Sequence, residues 1–190
     1  YFGHHVEQGY NGIYLVGLAD SWARNISFIN ADSAVITYDS ANLTISDIVT
    51  SGKRQAHYAV HMGNVHNVLA RNIQIFNPVT HSLTFNTQST RCVYKDSEVF
   101  VQPNLDQHAG ANHQNLFDNI TMHINAIPGE KHASYPIYDG SGAGYWQPGH
   151  GRYNTTWNLR VVVESGAPSM QTLHVEGLEE GPYARIVGLS

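Results

Sequence analysis

Short runs of alternating apolar and polar residues, each about five residues long, recur along most of the chain. Examples are AVITY at 34–38, YAVHM at 58–62, IQIF at 73–76 and SLTFN at 82–86. Val, Ile, Thr, Phe and Tyr dominate these runs, and Asn, Asp, Ser and Gly fill the gaps, as is typical of short β-strands separated by tight turns. Because no stretch keeps the period of an α-helix, the sequence predicts an all-β fold.

Two sets of mostly Asn and Asp residues mark a repeat of nearly constant length. The first set recurs at steps of roughly 22–25 positions, followed by one longer final step, and comprises Asn25, Asp47, Asn72, Asp96, Asn119 and Asn158. The second set lies a few positions earlier, recurs at similar steps, and comprises Asn42, Asn67, Arg91 and Asn115. A leucine-rich pattern is missing, and hairpin signals such as Asn-Gly are few. We therefore predict a right-handed parallel β-helix, a solenoid with coils of about 22–25 residues.

The domain organisation follows from length and from the one long step. The 190 residues can bury one sizeable core, so we expect residues 1–190 to form a single β-helix domain. The long step from Asn119 to Asn158 indicates a loop insertion at 125–153. Since the chain opens directly in strand-like alternation, we expect it to be a segment of a longer, secreted protein.

Charge and cysteine content exclude several classes of protein. Charged residues make up 13% of the chain, the net charge is −5, and seven Arg and three Lys form no basic stripe, so we expect no nucleic-acid partner. No apolar run approaches the length of a membrane span, and we expect no membrane insertion. Cys92, the one cysteine, excludes an internal disulfide and is interpreted as a small buried hydrophobe.

Histidines raise the question of a metal site. His57 and His61 would share one face of a helix, but in a strand they lie about 13 Å apart, too far for one ion. We therefore predict no metal and no cofactor, and the sequence does not support calcium. Equivalent positions on neighbouring coils lie about 4.8 Å apart. Counting back from the repeat markers thus predicts a column of His57 and His81 with Asp106 or His108.

Five segments resemble the pectin-lyase-like superfamily of β-helix proteins, and within it an incompletely characterised family of secreted, polysaccharide-active proteins. They cover most of residues 11–165 and read SWARNISFINADSAVI, HYAVHMGNVHNVLARNIQIF, HSLTFN, LDQHAGANHQNLFDNI and GHGRYNTTWNL. The superfamily includes lyases, hydrolases, epimerases and non-catalytic modules. The resemblance therefore implies a secreted, extracellular protein whose partner is a polysaccharide, without choosing its activity.

The residues favour a polysaccharide lyase that acts on an acidic, uronate-containing glycan. A lyase neutralises the uronate carboxylate, removes the C5 proton and protonates the leaving oxygen, and these steps suit Arg, Lys, His and Tyr. The predicted catalytic residues are His57, His81, Asp106, His108 and Arg152. The predicted substrate-binding residues are Arg54, Arg91, Tyr145, Trp146 and His150.

Two alternatives stay open. One is a non-catalytic β-helix module, either glycan-binding or a structural subunit of an extracellular fibre or cell surface, which would associate end to end through exposed strand edges. The other is a glycoside hydrolase, which needs two carboxylates across the scissile bond. The carboxylates available for such a pair are Asp96, Asp106, Asp118 and Asp139.

The insertion and four sequons complete the candidate features. Tyr145 and Trp146 suit the apolar faces of sugars, and we expect them to border a groove outside the coil, with packing over the flank of the solenoid as the alternative. The sequons begin at four N-glycosylation candidates, Asn25, Asn42, Asn119 and Asn154. The first three are repeat markers, where Asn suits a left-handed turn, so Asn154 is the favoured glycosylation site.

Overall fold

The computed structural model describes residues 10–108, 110–125, 134–139, 151–164, 172–174, 181 and 183–190. Within these ranges the chain forms strands and no helix, and therefore no helix long enough to cross a membrane. The strands are β1 (Ile13–Val16), β2 (Trp22–Ile29), β3 (Ser33–Ala41), β4 (Thr44–Ser51), β5 (Ala56–His66), β6 (Leu69–Ile75), β7 (Val79–Phe85), β8 (Val93–Val99), β9 (Leu105–Gln107), β10 (Leu116–Ile124), β11 (Ser134–Pro136), β12 (Tyr138–Asp139), β13 (Thr155–Val163), β14 (Thr172–His174) and β15 (Arg185–Leu189).

Successive strands alternate between two parallel sheets, so the chain winds as a β-solenoid of about five turns. The first sheet has the order β1-β3-β5-β7-β9-β12, and the second sheet has the order β15-β13-β10-β8-β6-β4-β2. A separate parallel pair joins β11 to β14. Neighbouring strands in each sheet belong to different coils, and no hairpin joins strands in the part of the chain that the structure describes. The predicted all-β parallel β-helix is confirmed.

The sequence repeat is the register of the second sheet. Residues that lie opposite one another on its successive strands are Trp22, Thr44, Leu69, Val93, Leu116 and Thr155. The steps between these residues equal, one by one, the steps between the six markers of the first set, including the long final one. Each marker therefore occupies the same place on its own coil.

The first set of markers adopts a left-handed backbone, as predicted. The φ angles of these six residues lie between 48° and 58°, a region that Asn and Asp tolerate better than most residues. They lie within the strands of the second sheet rather than in the turns between strands. Their side chains also bond along the solenoid axis, since Asn72 Nδ2 donates to Asp47 Oδ1 at 2.8 Å and Asn119 Nδ2 donates to Asp96 Oδ1 at 2.7 Å. Short polar side chains thus form a ladder on the outside of the second sheet.

The second set of markers is left-handed at three of the four predicted positions. The φ angles of Asn42, Asn67 and Arg91 lie between 55° and 57°. On the next coil, however, the left-handed residue is Gln114, and Asn115 is buried with its Oδ1 accepting the Cys92 N–H. The assignment of Asn115 was therefore wrong by one residue, because the hydrogen-bonding power of its amide is used inside the coil.

The core between the two sheets is mostly apolar, and a buried tyrosine makes polar contacts across it. Tyr94 is fully buried and packs against Phe85 and Phe117, with ring centroids 5.0 and 5.8 Å away. Its hydroxyl lies 2.9 Å from the Val60 carbonyl oxygen and accepts the Thr84 N–H at 3.2 Å. Because Tyr94 belongs to the second sheet and its polar partners belong to the first, this hydroxyl links the sheets across the core.

Cys92 is buried as expected of a small hydrophobe. Desolvation raises the pKa of its thiol to about 11, so the reactive thiolate is not formed at neutral pH.

Part of the predicted insertion belongs to the solenoid. Strand β12 pairs with β9, placing Tyr138 opposite Leu105 and Asp139 opposite Asp106. Tyr138 is buried, and its hydroxyl donates to Thr156 Oγ1 at 2.7 Å. These residues therefore lie within a coil rather than outside it. Residues 126–133 and 140–150 are not among those described, so the extent of the loop stays a prediction.

Candidate functional site

A column of polar residues crosses the outer face of the first sheet. His61 lies opposite Thr84, and Thr84 lies opposite Asp106, on three successive coils. The adjacent residues Met62 and Phe85 point into the core. Since successive side chains of a strand alternate between faces, the polar column points away from the core. Its members are nevertheless buried, with exposed fractions of 1%, 0% and 0%.

Asp106 is the centre of a buried cluster with two histidines, here called the His–Asp–His cluster (His81, Asp106 and His108). Asp106 Oδ2 lies 3.0 Å from Nδ1 of His81 and 2.9 Å from Nδ1 of His108. The two imidazole rings are nearly perpendicular, with centroids 5.0 Å apart. Burial alone would raise the pKa of Asp106, but its contacts with His108 and His81 outweigh burial and lower the pKa. Asp106 is therefore ionised at neutral pH.

Tyr58 joins this cluster to the preceding coil. Its ring stacks on His81 at 4.9 Å and on His57 at 4.1 Å, and it meets the edge of His61 at 4.8 Å. The phenol is thus surrounded by three imidazoles. His57 also lies beside His81, with ring centroids 5.2 Å apart.

His61 is a neutral member of the same surface. Its Nε2 accepts a hydrogen bond from Asn86 Nδ2 at 2.7 Å, and its carbonyl accepts one from the Thr37 hydroxyl at 2.8 Å. Burial, followed by the neighbouring His108, lowers the pKa of His61 to about 4. At neutral pH the ring is uncharged and can accept the Asn86 hydrogen bond.

A groove opens onto the cluster from solvent. It is lined by Tyr38, Tyr58, Asn64, Asn86, Thr87 and His108. His108 is the member of the His–Asp–His cluster that borders this groove. A molecule in the groove would therefore reach the cluster through His108 and Tyr58, between aromatic and amide side chains.

The structure brings together the four residues that the sequence placed in one column. His57, His81, Asp106 and His108 form one connected group. The register differs in detail, because His81 lies opposite Tyr58 rather than His57. The catalytic role of these residues stays a prediction.

Sequence reasoning missed Tyr58, His61 and Asn86. The repeat was measured on the second sheet, where Ala70, Tyr94 and Phe117 lie opposite one another on β6, β8 and β10. In the first sheet both corresponding steps are one residue shorter, which aligns His61 with Thr84 and Asp106. Measuring the repeat separately on the first sheet would have found His61.

The three predicted cationic residues are all exposed. Arg152 lies in a column of isolated bridges with His113, and its guanidinium packs over the Tyr153 ring at 5.0 Å. These are its contacts within the described part of the chain, and its catalytic role stays a prediction. Arg91 is exposed beside the same column, and Arg54 is exposed in the segment between β4 and β5. Tyr145, Trp146 and His150 lie outside the described residues.

Of the four carboxylates considered for a hydrolase, Asp96 and Asp118 lie on the second sheet, and Asp106 and Asp139 lie on the first. Asp118 pairs with Lys95 on the second sheet, away from the groove. Asp96 accepts the Asn119 amide in the polar ladder described above. The backbone of Asp139 lies opposite that of Asp106 in the first sheet.

The favoured glycosylation candidate is buried. Asn154 is 3% exposed, and its Nδ2 donates to Gln107 Oε1 at 2.9 Å and to Asn112 Oδ1 at 3.0 Å. A glycan on this nitrogen is incompatible with the folded arrangement. Asn25, Asn42 and Asn119 belong to the exposed ladders instead.

Comparison with protein-family models, with curated proteins and with solved structures found no match. The fold and the cluster together define the class, a parallel β-solenoid with a buried His–Asp–His cluster beside a groove. Its particular family is not given by these comparisons.

Proposed function

We propose that this protein is a secreted polysaccharide lyase that acts on a uronate-containing glycan in the groove of the first sheet. The observation that carries the proposal is the buried His–Asp–His cluster, which borders, through His108, a groove lined by tyrosine, asparagine and threonine. Tyrosine rings pack against the apolar faces of sugars, and amides and hydroxyls bond to sugar hydroxyl groups. A long solenoid face also suits an extended polymer.

The chemistry divides between the cluster and the groove. In β-elimination the substrate carboxylate must be neutralised so that the proton at C5 becomes acidic. In this proposal the substrate carboxylate lies at the His–Asp–His cluster, beside His108 at the border of the groove. Tyr58 is the proton-transfer group, because it borders the groove and stacks on His81. Tyr58 would remove the C5 proton as the phenolate and then donate that proton to the leaving glycosidic oxygen, so that the elimination balances.

The test is an absorbance assay for the unsaturated product, run on a panel of uronate polysaccharides. Tyr58→Phe keeps the ring and removes the hydroxyl, and we expect turnover to fall by about 10²–10⁴-fold, the usual scale for a positioned acid or base. Tyr183→Phe is the matched control, since Tyr183 is 66% exposed and stacks on Tyr153 away from the groove. Activity that survives in Tyr58→Phe would remove Tyr58 from the mechanism. A silent panel with the wild-type protein would refute the lyase.

A non-catalytic module is the second candidate, and exposed apolar residues on the first coil favour it. The exposed fractions are 53% for Tyr14, 49% for Val16, 66% for Trp22 and 74% for Ile29. Stacking against a further coil or a second copy would cover these side chains. A silent panel together with concentration-dependent association in sedimentation velocity, weakened by Trp22→Ser, would support this role.

A further inference from the structure

We infer that His81, Asp106 and His108 form a binding site for one divalent transition-metal ion, held by Nδ1 of each histidine and by the Asp106 carboxylate. These three ligand atoms lie within 4.8 Å of one another. All three residues are buried, with exposed fractions of 1%, 0% and 8%. Two imidazoles and one carboxylate on one side of an ion leave its other positions open.

The two distances from Asp106 match those between neighbouring ligands of a bound ion. Two ligands at right angles, each about 2.1 Å from a metal, are about 3.0 Å apart. The observed separations from Asp106 Oδ2 are 3.0 Å to His81 Nδ1 and 2.9 Å to His108 Nδ1. Hydrogen bonds from both rings to one oxygen would give similar distances, so a second observation is needed to separate the two arrangements.

The second observation is a pair of polar atoms at the cluster that have no hydrogen-bond partner among the described residues. Asp106 Oδ1 and Thr84 Oγ1 are buried and have no hydrogen-bond partner among the described residues. Thr84 lies directly opposite Asp106 on the neighbouring coil. A buried carboxylate oxygen without a partner is costly unless an ion or another polar group meets it. A metal at the cluster would meet Asp106, and a molecule bound to that metal would meet the threonine hydroxyl.

The donor set defines the class of ion. Imidazole and carboxylate together suit Zn²⁺, Mn²⁺, Fe²⁺ and similar ions, whereas Ca²⁺ takes six to eight oxygen ligands. Because His108 borders the groove, a molecule in the groove would approach a bound ion from that side. The use of this ion rests on the proposed function: as a Lewis acid it would bind the uronate carboxylate and supply positive charge to it. Its binding does not depend on that function.

The experiment is isothermal titration calorimetry of the chelator-treated full chain, without substrate. Zn²⁺ and Mn²⁺ are titrated separately, with Ca²⁺ as the chemical contrast. We expect one strong site for Zn²⁺ or Mn²⁺ and no comparable site for Ca²⁺. Asp106→Asn and His108→Gln should each weaken this site at least about tenfold, because the loss of a group that only orients a metal ligand already costs about 10–100-fold in affinity. His66→Gln is the matched control, because His66 bonds to Thr90 away from the cluster, and its affinity should equal that of the wild type.

Several outcomes would overturn the inference. They are the absence of a strong site in the wild-type chain, an unchanged site in both ligand variants, and an equal loss in His66→Gln. Circular dichroism and cooperative unfolding show whether each variant is folded. If Asp106→Asn does not fold, His108→Gln alone is the ligand variant that tests the site. Binding without lyase activity would refute the proposed function and leave the metal site standing. Lyase activity in a chain with no strong metal site would refute the metal site and leave the proposed function standing.

Discussion

The hydroxyl group of Tyr94 offers a sharp test of how the two sheets are joined. Tyr94→Phe removes one oxygen from the core and keeps the ring between Phe85 and Phe117. The Thr84 N–H loses its acceptor at 3.2 Å, and the Val60 carbonyl loses a contact at 2.9 Å. Because Tyr94 is fully buried, no water can replace the lost oxygen without opening the core.

The magnitude follows from burial. Leaving a buried backbone donor without its partner costs about 1–3 kcal/mol, so we expect the free energy of unfolding to fall by about 2 kcal/mol. For a chain of this length that corresponds to a decrease of about 4–8 °C in melting temperature. Urea unfolding monitored by circular dichroism measures the change, and the slope of free energy against denaturant should stay constant, because the surface exposed on unfolding does not change.

Tyr183→Phe is the control for this experiment, since its hydroxyl belongs to an exposed ring. We expect its free energy of unfolding to stay within about 0.5 kcal/mol of the wild type, as is usual for surface substitutions. If the free energy of unfolding falls by the same small amount in Tyr94→Phe and Tyr183→Phe, the Tyr94 hydroxyl does not link the sheets.

Two further predictions concern the second sheet. His123 lies between Glu98 and Glu164, at 2.7 and 2.6 Å; burial alone would lower its pKa, but the hydrogen bonds to Glu164 and Glu98 raise it. The stabilisation that protonated His123 gives to the folded state is therefore present below the unfolded pKa of about 6.5 and is lost as pH rises through the higher folded pKa. The melting temperature of the wild type should accordingly fall towards that of His123→Gln between about pH 6 and 9. Parallel pH profiles of the two proteins would contradict this. Asn119→Ala should lower the free energy of unfolding by about 1–2 kcal/mol, because the φ of Asn119 is 56° and its hydrogen bond to Asp96 is lost. Asn119→Gly should recover most of that loss, since glycine adopts this backbone without strain. Equal losses in the two variants would show that backbone strain is not the cause.

The coil period was predictable because it depends on the local backbone preferences of Asn and Asp. Left-handed residues recur at the same places in successive coils, and Asn and Asp adopt that backbone with little strain. Their spacing in the sequence is therefore also the register of the second sheet. The alternation of apolar and polar residues between these markers predicted the strands in the same way. Local preferences of this kind act within a few residues, and the sequence shows them directly.

The details of the candidate site depended on the tertiary structure. The first sheet runs one residue shorter than the second between the coils of β5 and β7, because the segments joining the sheets differ in length. A shift of one residue changes which side chain lies opposite which. This shift put Tyr58 rather than His57 opposite His81 and moved Thr84 next to Asp106.

Burial was also decided by packing between distant segments. Nothing local distinguishes Asn154, whose amide is enclosed by Gln107 and Asn112, from the exposed Asn119. The sequence by itself thus determined the solenoid, its period and the neighbourhood of the histidines. The stacking of one coil on the next decided the exact partners of each side chain and whether water reaches it, because these contacts join segments that are far apart along the chain.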